Sequence, residues 1–550
     1  MQNYIKHKRS KEIKELKAIR YYLLFILPFY LYSIDISSNL YWLKLLHYKN
    51  GVSEIDDKSF FLSPNGNISP KDELIATLKS IENSDYRDIN STQCRFPART
   101  RWLKKKFLSK NIKECKYLKE HLKQLNFKML YLVYASSYIN APASAFGHSF
   151  LRFDINSSTP LLSYALNYSA QIKKDTNIFL YAYRGLFGGF KGKYTVAPYY
   201  EMVKIYSNME DRDIWEYRLN LTPKEIEKIT LSMIEMQRYQ SSYYFTSKNC
   251  SYNLLWFIDL ARDNLNLVDE FNYVVTPMDT IKALKRKGLI INSIYRPSKR
   301  TKLEVEFNQI KFKEIAKKFL EKEDISIIRE LKKREQAKIL DLAILKNSTK
   351  IETLKYRSKI DIKKSDLNII KTNPIKSNLA SKLNISISDK NSLSYGGRVS
   401  YHDIYDIDYD FNEGKYISFF DFLVKNGKLE SLDFIKIDSI APTTKLFSPI
   451  SWGLAVGFRD KYFQIEADIG KSYRFLDTLF FLKPSIKLRD RLEFGYKIGA
   501  LKSIEKVKFG IVSEEGKEFK SFVTYQIYKN FALHIYNFKR ENSITLFYYF

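Results

Sequence analysis

Apolar and polar side chains alternate with a period of two in the C-terminal part of the chain. The segment YFQIEADIG (462–470) has an aromatic or aliphatic residue at every second position, with Gln, Glu and Asp between them. The segment LEFGYKIG (492–499) repeats this alternation. Such a pattern is typical of antiparallel strands that have one apolar and one polar face. It therefore predicts a sheet of many antiparallel strands.

The polar face of these strands carries charges, the apolar face carries aromatic residues, and the chain ends on the alternating residues of ITLFYYF (544–550). Transmembrane barrels use strands of about ten residues that alternate apolar-out and polar-in, with aromatic residues at both membrane interfaces. We therefore predict an antiparallel β-barrel in the outer membrane over residues 380–550. The alternative is a soluble sandwich or a barrel with a dry core, which would show a similar alternation.

The N-terminus has a different pattern. Residues 1–20 are strongly cationic, and residues 21–34 (YYLLFILPFYLYSI) are apolar. This apolar run is short for a membrane-spanning helix of about 20 residues, but it fits the hydrophobic region of a signal peptide. We predict a signal peptide over residues 1–34 and export of the protein, with an uncleaved membrane anchor as the alternative.

Between these ends, helical and strand patterns mix, so the fold class is α+β. Strands are predicted at Leu130–Tyr134, from His148 and over 161–170. The glycine-rich stretch 183–194 predicts a mobile loop or lid, and Thr222-Pro223 marks a helix start. The predicted domains are a helical region (35–127), a mixed domain (128–299), a charged and solvated helical linker (300–379) and the barrel (380–550).

The net charge bears on the class of partner that the protein binds, and the cysteines and histidines bear on disulfides and metal sites. The net charge is +30, but Lys and Arg are spread along the chain without a nucleic-acid-binding motif, so no nucleic-acid partner is predicted. Anionic lipid is one interpretation of the charge, and a Lys-rich composition without a specific partner is the other.

Cys94 and Cys115 are close in sequence and are the disulfide candidates of an exported protein. The six histidines are scattered, so neither a metal nor a cofactor is predicted.

The third cysteine, Cys250, precedes the apolar periodicity of a helix. A helix N-terminus and a neighbouring imidazole both lower the pKa of a thiol and favour the nucleophilic thiolate. His148 follows Gly147 at the start of a strand, after a run of small residues. A strand-borne histidine and a helix-borne cysteine form the pair found in papain-like enzymes. The alternative is that the two residues are unrelated.

The motifs around both residues strengthen the catalytic interpretation. GHSFLRF after ASSYINAPASAF, followed by FTSKNCSYNLL, resembles the exported Lnb-type lipoprotein N-acyltransferase family. The resemblance extends through CRFPARTRWL (94–103), YAYRGLFGGFKGKYTVAPYYEMV (181–203) and RDIWEYRL (212–219). It covers roughly residues 41–300 with specific motifs, and the C-terminal strands are similar to the β-rich region of larger relatives.

This resemblance implies a permuted papain-like domain related to NlpC/P60 enzymes, in which the histidine precedes the cysteine. It implies Cys250 as nucleophile and His148 as general base and acid. A third polar group should orient the imidazole; Asn167 is our prediction, with Tyr164 and Ser163 as alternatives. The backbone N–H of Cys250 would serve an oxyanion hole, whose second donor the sequence leaves unassigned.

The expected activity is acyl transfer from a glycerolipid or lipoprotein ester, through a Cys250 thioester, to an amine. The small residues before His148 would leave a slot for the acyl chain. One alternative is a cysteine hydrolase of lipid, lipoprotein or peptidoglycan peptide; another is a non-catalytic outer-membrane binding or assembly protein. The expected partners are membrane lipids or lipoproteins. The expected location is the outer membrane with a periplasmic N-terminal domain, or the periplasm alone. Arg152 is a further candidate site residue unless it forms an ion pair.

Overall fold

The computed structural model describes residues 36–108, 111–137, 147–155, 159–172, 178–364, 367–409, 413–513 and 518–550. The predicted signal peptide and the small residues 143–145 before His148 lie outside these ranges. The chain divides into two compact units. Unit 1 comprises residues up to 130, 153–196 and 221–272, and unit 2 comprises residues 131–152, 197–220 and 273–550.

The helices are α1 (Leu40–Leu45), α2 (Pro70–Glu82), α3 (Thr92–Arg95), α4 (Pro97–Lys106), α5 (Leu118–Leu125), α6 (Ile178–Phe187), α7 (Tyr199–Val203), α8 (Pro223–Met236), α9 (Cys250–Asp259), α10 (Pro277–Arg286), α11 (Lys299–Asn308), α12 (Lys313–Lys322), α13 (Lys333–Lys346) and α14 (Ile351–Ser358). The strands before the barrel are β1 (Tyr48–Lys49), β2 (Val52–Ser53), β3 (Met129–Ala135), β4 (His148–Asp154), β5 (Tyr164–Gln171), β6 (Phe190–Pro198), β7 (Ile214–Leu219), β8 (Gln240–Tyr243) and β9 (Ile290–Arg296).

A buried guanidinium joins three helices of unit 1. Arg99 on α4 pairs with Glu73 on α2 and with Glu235 on α8, both at 2.7 Å. Its guanidinium lies 4.1 Å from the ring centroid of Phe60 and 4.3 Å from that of Phe96. All three charged side chains are almost fully buried. Burial raises the pKa of Glu235 to about 7, against the opposing effect of Arg99.

Three neighbouring strands of unit 1 follow the order β8–β6–β5. The predicted loop at 183–194 was wrong, because α6 ends at Phe187 and β6 begins at Phe190. Its glycines instead permit close packing within unit 1. A Cβ at Gly185 would lie 2.1 Å from the ring of Phe245, and a Cβ at Gly192 would lie 2.2 Å from the hydroxyl of Tyr168. Neither site accommodates a side chain without a shift of its neighbours.

The first part of unit 2 contains the neighbouring strands β4–β3–β7–β9 and the helices α11–α14. These helices fill the segment that we expected to be a solvated linker. They bury a common apolar core that includes Leu303, Phe307, Phe319 and Leu340. The Lys and Glu residues of the segment concealed this amphipathic pattern. Within the described parts of the chain, no helix combines the length and the apolarity needed to cross a membrane.

The second part of unit 2 is the barrel. Its twelve strands pair in an antiparallel ring that the pairing of β11 with β13 closes. These strands are β10 (Lys382–Ser388), β11 (Leu393–Arg398), β13 (Lys415–Lys425), β14 (Lys428–Ser439), β16 (Ser451–Arg459), β17 (Tyr462–Phe475), β18 (Thr478–Leu488), β19 (Leu492–Ile504), β20 (Val507–Ser513), β21 (Lys520–Tyr528), β22 (Phe531–Phe538) and β23 (Glu541–Tyr549). The short strands β12 (Ser400–His402) and β15 (Pro442–Thr443) pair with β13 and β17.

The two faces of the barrel wall differ in polarity as predicted. On β18, Leu482 is 51% exposed on the outer face, whereas the adjacent Lys483 is fully buried inside. On β23 exposed Ile544, Leu546 and Tyr548 alternate with buried residues, and on β19 exposed Leu492, Phe494 and Tyr496 alternate with less exposed ones. An apolar outer face around a polar interior is the arrangement of a barrel whose outer solvent is lipid.

Candidate functional site

Cys250 is the first residue of α9 in unit 1. Asn249 caps the helix with extended backbone geometry, and its side-chain oxygen accepts a hydrogen bond from the backbone N–H of Tyr252 at 3.2 Å. Cys250 keeps its thiol and is 3% exposed. The N–H groups of a first helical turn lack intrahelical acceptors and carry partial positive charge. The thiol therefore lies at the end of α9 that favours a thiolate.

Tyr243 supplies a hydroxyl beside this helix end. The backbone N–H of Cys250 donates to the Tyr243 hydroxyl at 3.3 Å. Burial, followed by the proximity of Cys250, raises the pKa of Tyr243 well above its usual value. The phenol therefore keeps its proton at neutral pH and has an O–H group to donate. Sequence analysis missed this residue, and its only signal is the position of Tyr243 at the end of β8, seven residues before Cys250.

Tyr243 is one of three buried tyrosines whose rings form a row, with Tyr168 between Tyr243 and Tyr194. The rings of Tyr168 and Tyr243 are 5.6 Å apart, and those of Tyr168 and Tyr194 are 4.5 Å apart. The Tyr168 hydroxyl lies 2.7 Å from the hydroxyl of Ser241, and the Tyr194 hydroxyl donates to the carbonyl of Asn253 at 3.2 Å. Of the three phenols, Tyr243 is the one whose hydroxyl accepts the backbone N–H of Cys250.

The N-terminal region holds α9 through one carboxylate. Glu54 accepts hydrogen bonds from the Tyr252 hydroxyl at 2.7 Å and from the Trp256 indole N–H at 3.1 Å. Its other oxygen lies 3.4 Å from the ammonium of Lys248. Two of these partners are on α9 and the third immediately precedes its cap. Glu54 therefore fixes both the helix and the loop that leads into Cys250.

His148 begins β4 in unit 2. The preceding Gly147 has φ +92°, and a Cβ there would lie 2.4 Å from the ring of Tyr134. Only glycine combines this backbone conformation with such a close approach. The half-buried imidazole stacks on Tyr206, with 5.2 Å between ring centroids, and lies 6.3 Å from the ring of Phe150. The glycine and these rings together define where the imidazole lies within unit 2.

Arg152, which follows Phe150 by two residues on β4, forms an ion pair. Its guanidinium contacts the carboxylate of Glu216, which also pairs with Arg296 at 3.0 Å and accepts a hydrogen bond from the Tyr199 hydroxyl. Burial raises the pKa of Glu216, but the two guanidinium groups and the hydroxyl outweigh it, so the pKa lies below its usual value. Arg152 therefore has a structural role, which was the alternative to a site residue.

The remaining sequence candidates lie in unit 1. Asn167 is half-buried in β5, Tyr164 begins that strand with its ring 5.8 Å from Phe127, and Ser163 is buried just before it. The choice among them, and the pairing of Cys250 with His148, stay predictions. Within the described residues, no group of three or more His, Cys, Asp or Glu side chains is arranged to hold a metal ion.

The other two cysteines are joined to each other. Cys94 and Cys115 form a disulfide with an Sγ–Sγ distance of 2.01 Å. Cys94 is on α3, and Cys115 lies between α4 and α5. The cross-link therefore holds the helical N-terminal region and leaves Cys250 as the thiol of the described chain.

Three family models match parts of the chain. Residues 117–287 match the family described as the Lnb N-terminal periplasmic domain. Residues 35–106 and 371–530 match two domains of unknown function, DUF7843 and DUF7840. No curated protein matches the chain.

Solved structures of porins are similar to part of the chain. They are the KdgM porin (10% identity), the KdgM porin in complex with disordered oligogalacturonate (11%) and the NanC porin (9%). Each similarity covers 31% of this chain and 99% of the porin chain, with a TM-score of 0.23.

The fold and the sites together define a class: an outer-membrane protein with a closed β-barrel and a periplasmic N-terminal domain. The apolar outer face of the barrel places it in lipid, and the domain that precedes it matches a periplasmic family. That domain is related to the N-terminal domain of Lnb, as the motifs around His148 and Cys250 indicated. The protein is therefore an envelope protein, and its residues 117–287 are similar to the Lnb N-terminal periplasmic domain.

Proposed function

We propose that the protein is a thiol acyltransferase of the cell envelope, with Cys250 as its nucleophile. The observation that carries this proposal is a buried cysteine thiol at the first position of α9, with a backbone N–H and a protonated tyrosine hydroxyl beside it. The match of residues 117–287 to the Lnb domain supports it. The proposed donor is an ester of a glycerolipid or lipoprotein, and the proposed acceptor is an amine.

Two half-reactions account for the transfer. The Cys250 thiolate attacks the ester carbonyl, and the tetrahedral intermediate collapses with cleavage of the C–O bond, while His148 gives a proton to the leaving alkoxide. The acyl group is then held as a Cys250 thioester. His148 accepts a proton from the incoming amine as its nitrogen attacks the thioester carbonyl, and the thiolate leaves as the amide forms.

Each tetrahedral intermediate carries an oxyanion that needs hydrogen-bond donors. We assign these donors to the backbone N–H of Cys250 and the hydroxyl of Tyr243. Without substrate, the Tyr243 hydroxyl oxygen accepts a hydrogen bond from the Cys250 N–H. The binding of substrate would therefore redirect both donors to the oxyanion. The loss of one oxyanion-hole donor costs about 10²–10³ in kcat.

The acceptor separates this proposal from a cysteine hydrolase, for which water takes the acyl group. Cys250 is only 3% exposed. This burial favours transfer of the acyl group to a bound acceptor rather than to bulk water. A hydrolase would instead release free fatty acid at the rate at which the thioester forms. A non-catalytic assembly protein would form no thioester.

Trapping of the acyl-enzyme tests the proposal. The purified full chain would be incubated with mixed phospholipids and a diacylated lipopeptide, and the Cys250 peptide would be analysed by mass spectrometry. We expect a fatty-acyl adduct that is absent from Cys250→Ala and His148→Ala. Addition of an amine should discharge the adduct to an amide. An unmodified Cys250 that also reacts slowly with iodoacetamide would contradict acyl transfer.

The oxyanion assignment has its own variant. Tyr243→Phe keeps the ring and removes only the hydroxyl, so kcat should fall by about 10²–10³ with little change in KM. Tyr239→Phe is the matched control, because Tyr239 is a buried phenol of the same unit whose hydroxyl contacts Arg95. Equal activity of the two variants would remove Tyr243 from the mechanism without affecting the role of Cys250.

A further inference from the structure

The residues that directly follow β12, Asp403–Asp408, enter the barrel interior. Asp406, Ile407 and Asp408 are buried, although they belong to a connection rather than to a barrel strand. Their contacts are with side chains that the strands direct inward. We call Asp403–Asp408 the lumenal segment.

One side of the lumenal segment pairs with neighbouring strands β10, β11 and β23. Arg398 contacts Asp403 and lies 2.6 Å from Asp406. Lys382 also contacts Asp403 and lies 3.3 Å from Asp406. The hydroxyl of Tyr549 donates to Asp406 at 2.9 Å. These side chains, from adjacent strands, hold the segment to one arc of the wall.

The far end of the lumenal segment connects walls that face each other. Asp408 lies 2.8 Å from the ammonium of Lys508 on β20 and accepts a hydrogen bond from the Tyr416 hydroxyl on β13 at 2.9 Å. In the ring of twelve strands, β13 and β20 are six positions apart. Lys508 also donates directly to the Tyr416 hydroxyl at 3.2 Å. The described side chains therefore meet across the lumen at this level.

Apolar side chains fill the space around these ion pairs. Ile404 and Tyr405 pack against an inward-facing cluster that includes Leu479, Leu501 and Phe522. The rings of Tyr405 and Phe522 are 5.1 Å apart in an edge-to-face arrangement. A water-filled path needs continuous polar lining, and this layer combines apolar packing with charges that already have protein partners.

Beyond the lumenal segment the barrel contains a polar cavity of about 240 Å³. Its lining includes Asp421, Asp433 and Arg459 from the strands, and Asp403 and Tyr405 from the segment itself. The lumenal segment thus forms one boundary of this cavity. The interior is polar on one side of the segment, and the apolar side chains lie around the segment itself.

We propose that the lumenal segment is a plug that closes the barrel, and that the barrel without it is an ion-conducting pore. The ion pairs with Lys382, Arg398 and Lys508 hold the plug, and the apolar layer seals its edges. This inference concerns the barrel alone and does not depend on chemistry at Cys250.

Conductance of the full chain in planar lipid bilayers tests the plug. We expect the wild type to give no discrete current steps, and a variant in which residues 403–408 are replaced by Gly-Ser repeats to give steps of uniform size. Folding of each barrel would be verified by its heat-modifiable migration in gels. Discrete steps from the wild type would overturn the proposal, as would a folded replacement variant that stays silent.

A second variant keeps the test decisive if the replacement does not fold. Arg398→Met with Lys508→Met removes a cation on each of two facing arcs but leaves the backbone of the segment intact. We expect intermittent current steps, because the apolar contacts still favour the closed state. Arg491→Ala, at an exposed ion pair with Glu493, is the matched control and should stay silent. A folded double variant as silent as this control would count against the role of the ion pairs.

Discussion

Arg99 in unit 1 and Lys483 in the barrel are both fully buried cations with two carboxylate partners. Arg99 pairs with Glu73 and Glu235, and Lys483 lies 2.6 Å from Asp438 and 2.7 Å from Asp468. Their surroundings are opposite. Arg99 is sandwiched between aromatic rings in an apolar core, whereas Lys483 belongs to a polar interior.

The barrel has apolar side chains outside and charged ones inside, the reverse of unit 1, because the solvent outside the barrel is lipid rather than water. Side chains such as Leu482 are exposed outward, where hydrocarbon replaces water and apolar surface has no cost. Charges are then confined to the interior, where they pair across strands. In unit 1 water is outside, so apolar side chains are buried and an interior charge persists only with partners. The same type of ion pair is thus an exception in one region and the rule in the other.

Removal of the Arg99 guanidinium should have the largest effect on stability. Arg99→Ala would leave two carboxylates in an apolar core, and loss of one partner of a buried pair costs about 3–5 kcal/mol. We expect poor yield and a large decrease in the temperature at which unit 1 unfolds, followed by tryptophan fluorescence. Arg87→Ala is the control, since its pair with Asp85 is exposed and its removal should leave the unfolding temperature almost unchanged.

A charge on the outer face of the barrel tests the other half of the comparison. Leu482→Lys places an ammonium in the middle of β18, where lipid exposure should cost about 2–4 kcal/mol. Phe475→Lys, at the end of β17 and also exposed, should cost only about 0–1 kcal/mol. Urea unfolding of the barrel in lipid vesicles measures the difference. Equal stability of the two variants would mean that the outer face is not in lipid.

The pH dependence of unit 1 sharpens the comparison. The pKa of Glu235 is about 7 in the fold and 4.5 as its ordinary value, so the folded state holds a proton that the unfolded chain releases. This contribution to stability is complete below pH 4.5 and is lost as the pH rises through 7, a change of roughly 3 kcal/mol.

Glu235→Gln should remove that dependence. We expect a flatter profile of unfolding temperature between pH 4.5 and 7, and a higher unfolding temperature than the wild type above pH 7. Glu114→Gln serves as control, because Glu114 is partly exposed in its pair with Arg101. An unchanged profile in Glu235→Gln would show that another group binds the proton.

The smallest effect is expected at a partly exposed carboxylate. Glu54→Gln keeps an oxygen for Tyr252 and Trp256 and loses only the charge that faces Lys248, so stability should change by less than about 1 kcal/mol. Glu54→Ala removes all three contacts and should also slow alkylation of Cys250 by displacing α9. Iodoacetamide rates for the two variants distinguish a packing role from a charge role. A Glu54→Gln variant as impaired as Glu54→Ala would assign the effect to charge.

Local patterns identified most elements because each reports a local constraint. The alternation in 462–470 and 492–499 predicted β17 and β19, since a strand between lipid and a polar interior must alternate at every residue. Thr222-Pro223 predicted the start of α8, where the Thr222 side chain and Glu225 form a capping box. Cys250 was placed correctly at a helix start.

The misinterpreted segments show where such patterns end. Glycines in 183–194 indicated a loop, but they accommodate the rings of Phe245 and Tyr168, which are distant in sequence. Lys and Glu in 300–379 indicated solvated helix, but α11–α14 bury a common core. In both cases the composition reflects only the segment itself. Whether the segment is buried depends on the residues that it contacts, which are distant in sequence.

The sequence by itself determined the type and approximate position of most strands and helices. It also predicted an export signal and identified the residues around which an acyl-transfer site is proposed. Only the tertiary structure decided that Tyr243 meets the Cys250 backbone, that Arg152 pairs with Glu216, and that Asp403–Asp408 crosses the barrel. The physical reason is that periodicity and capping act over a few residues. Hydrogen bonds and ion pairs instead join groups that only the folded chain brings within about 3 Å.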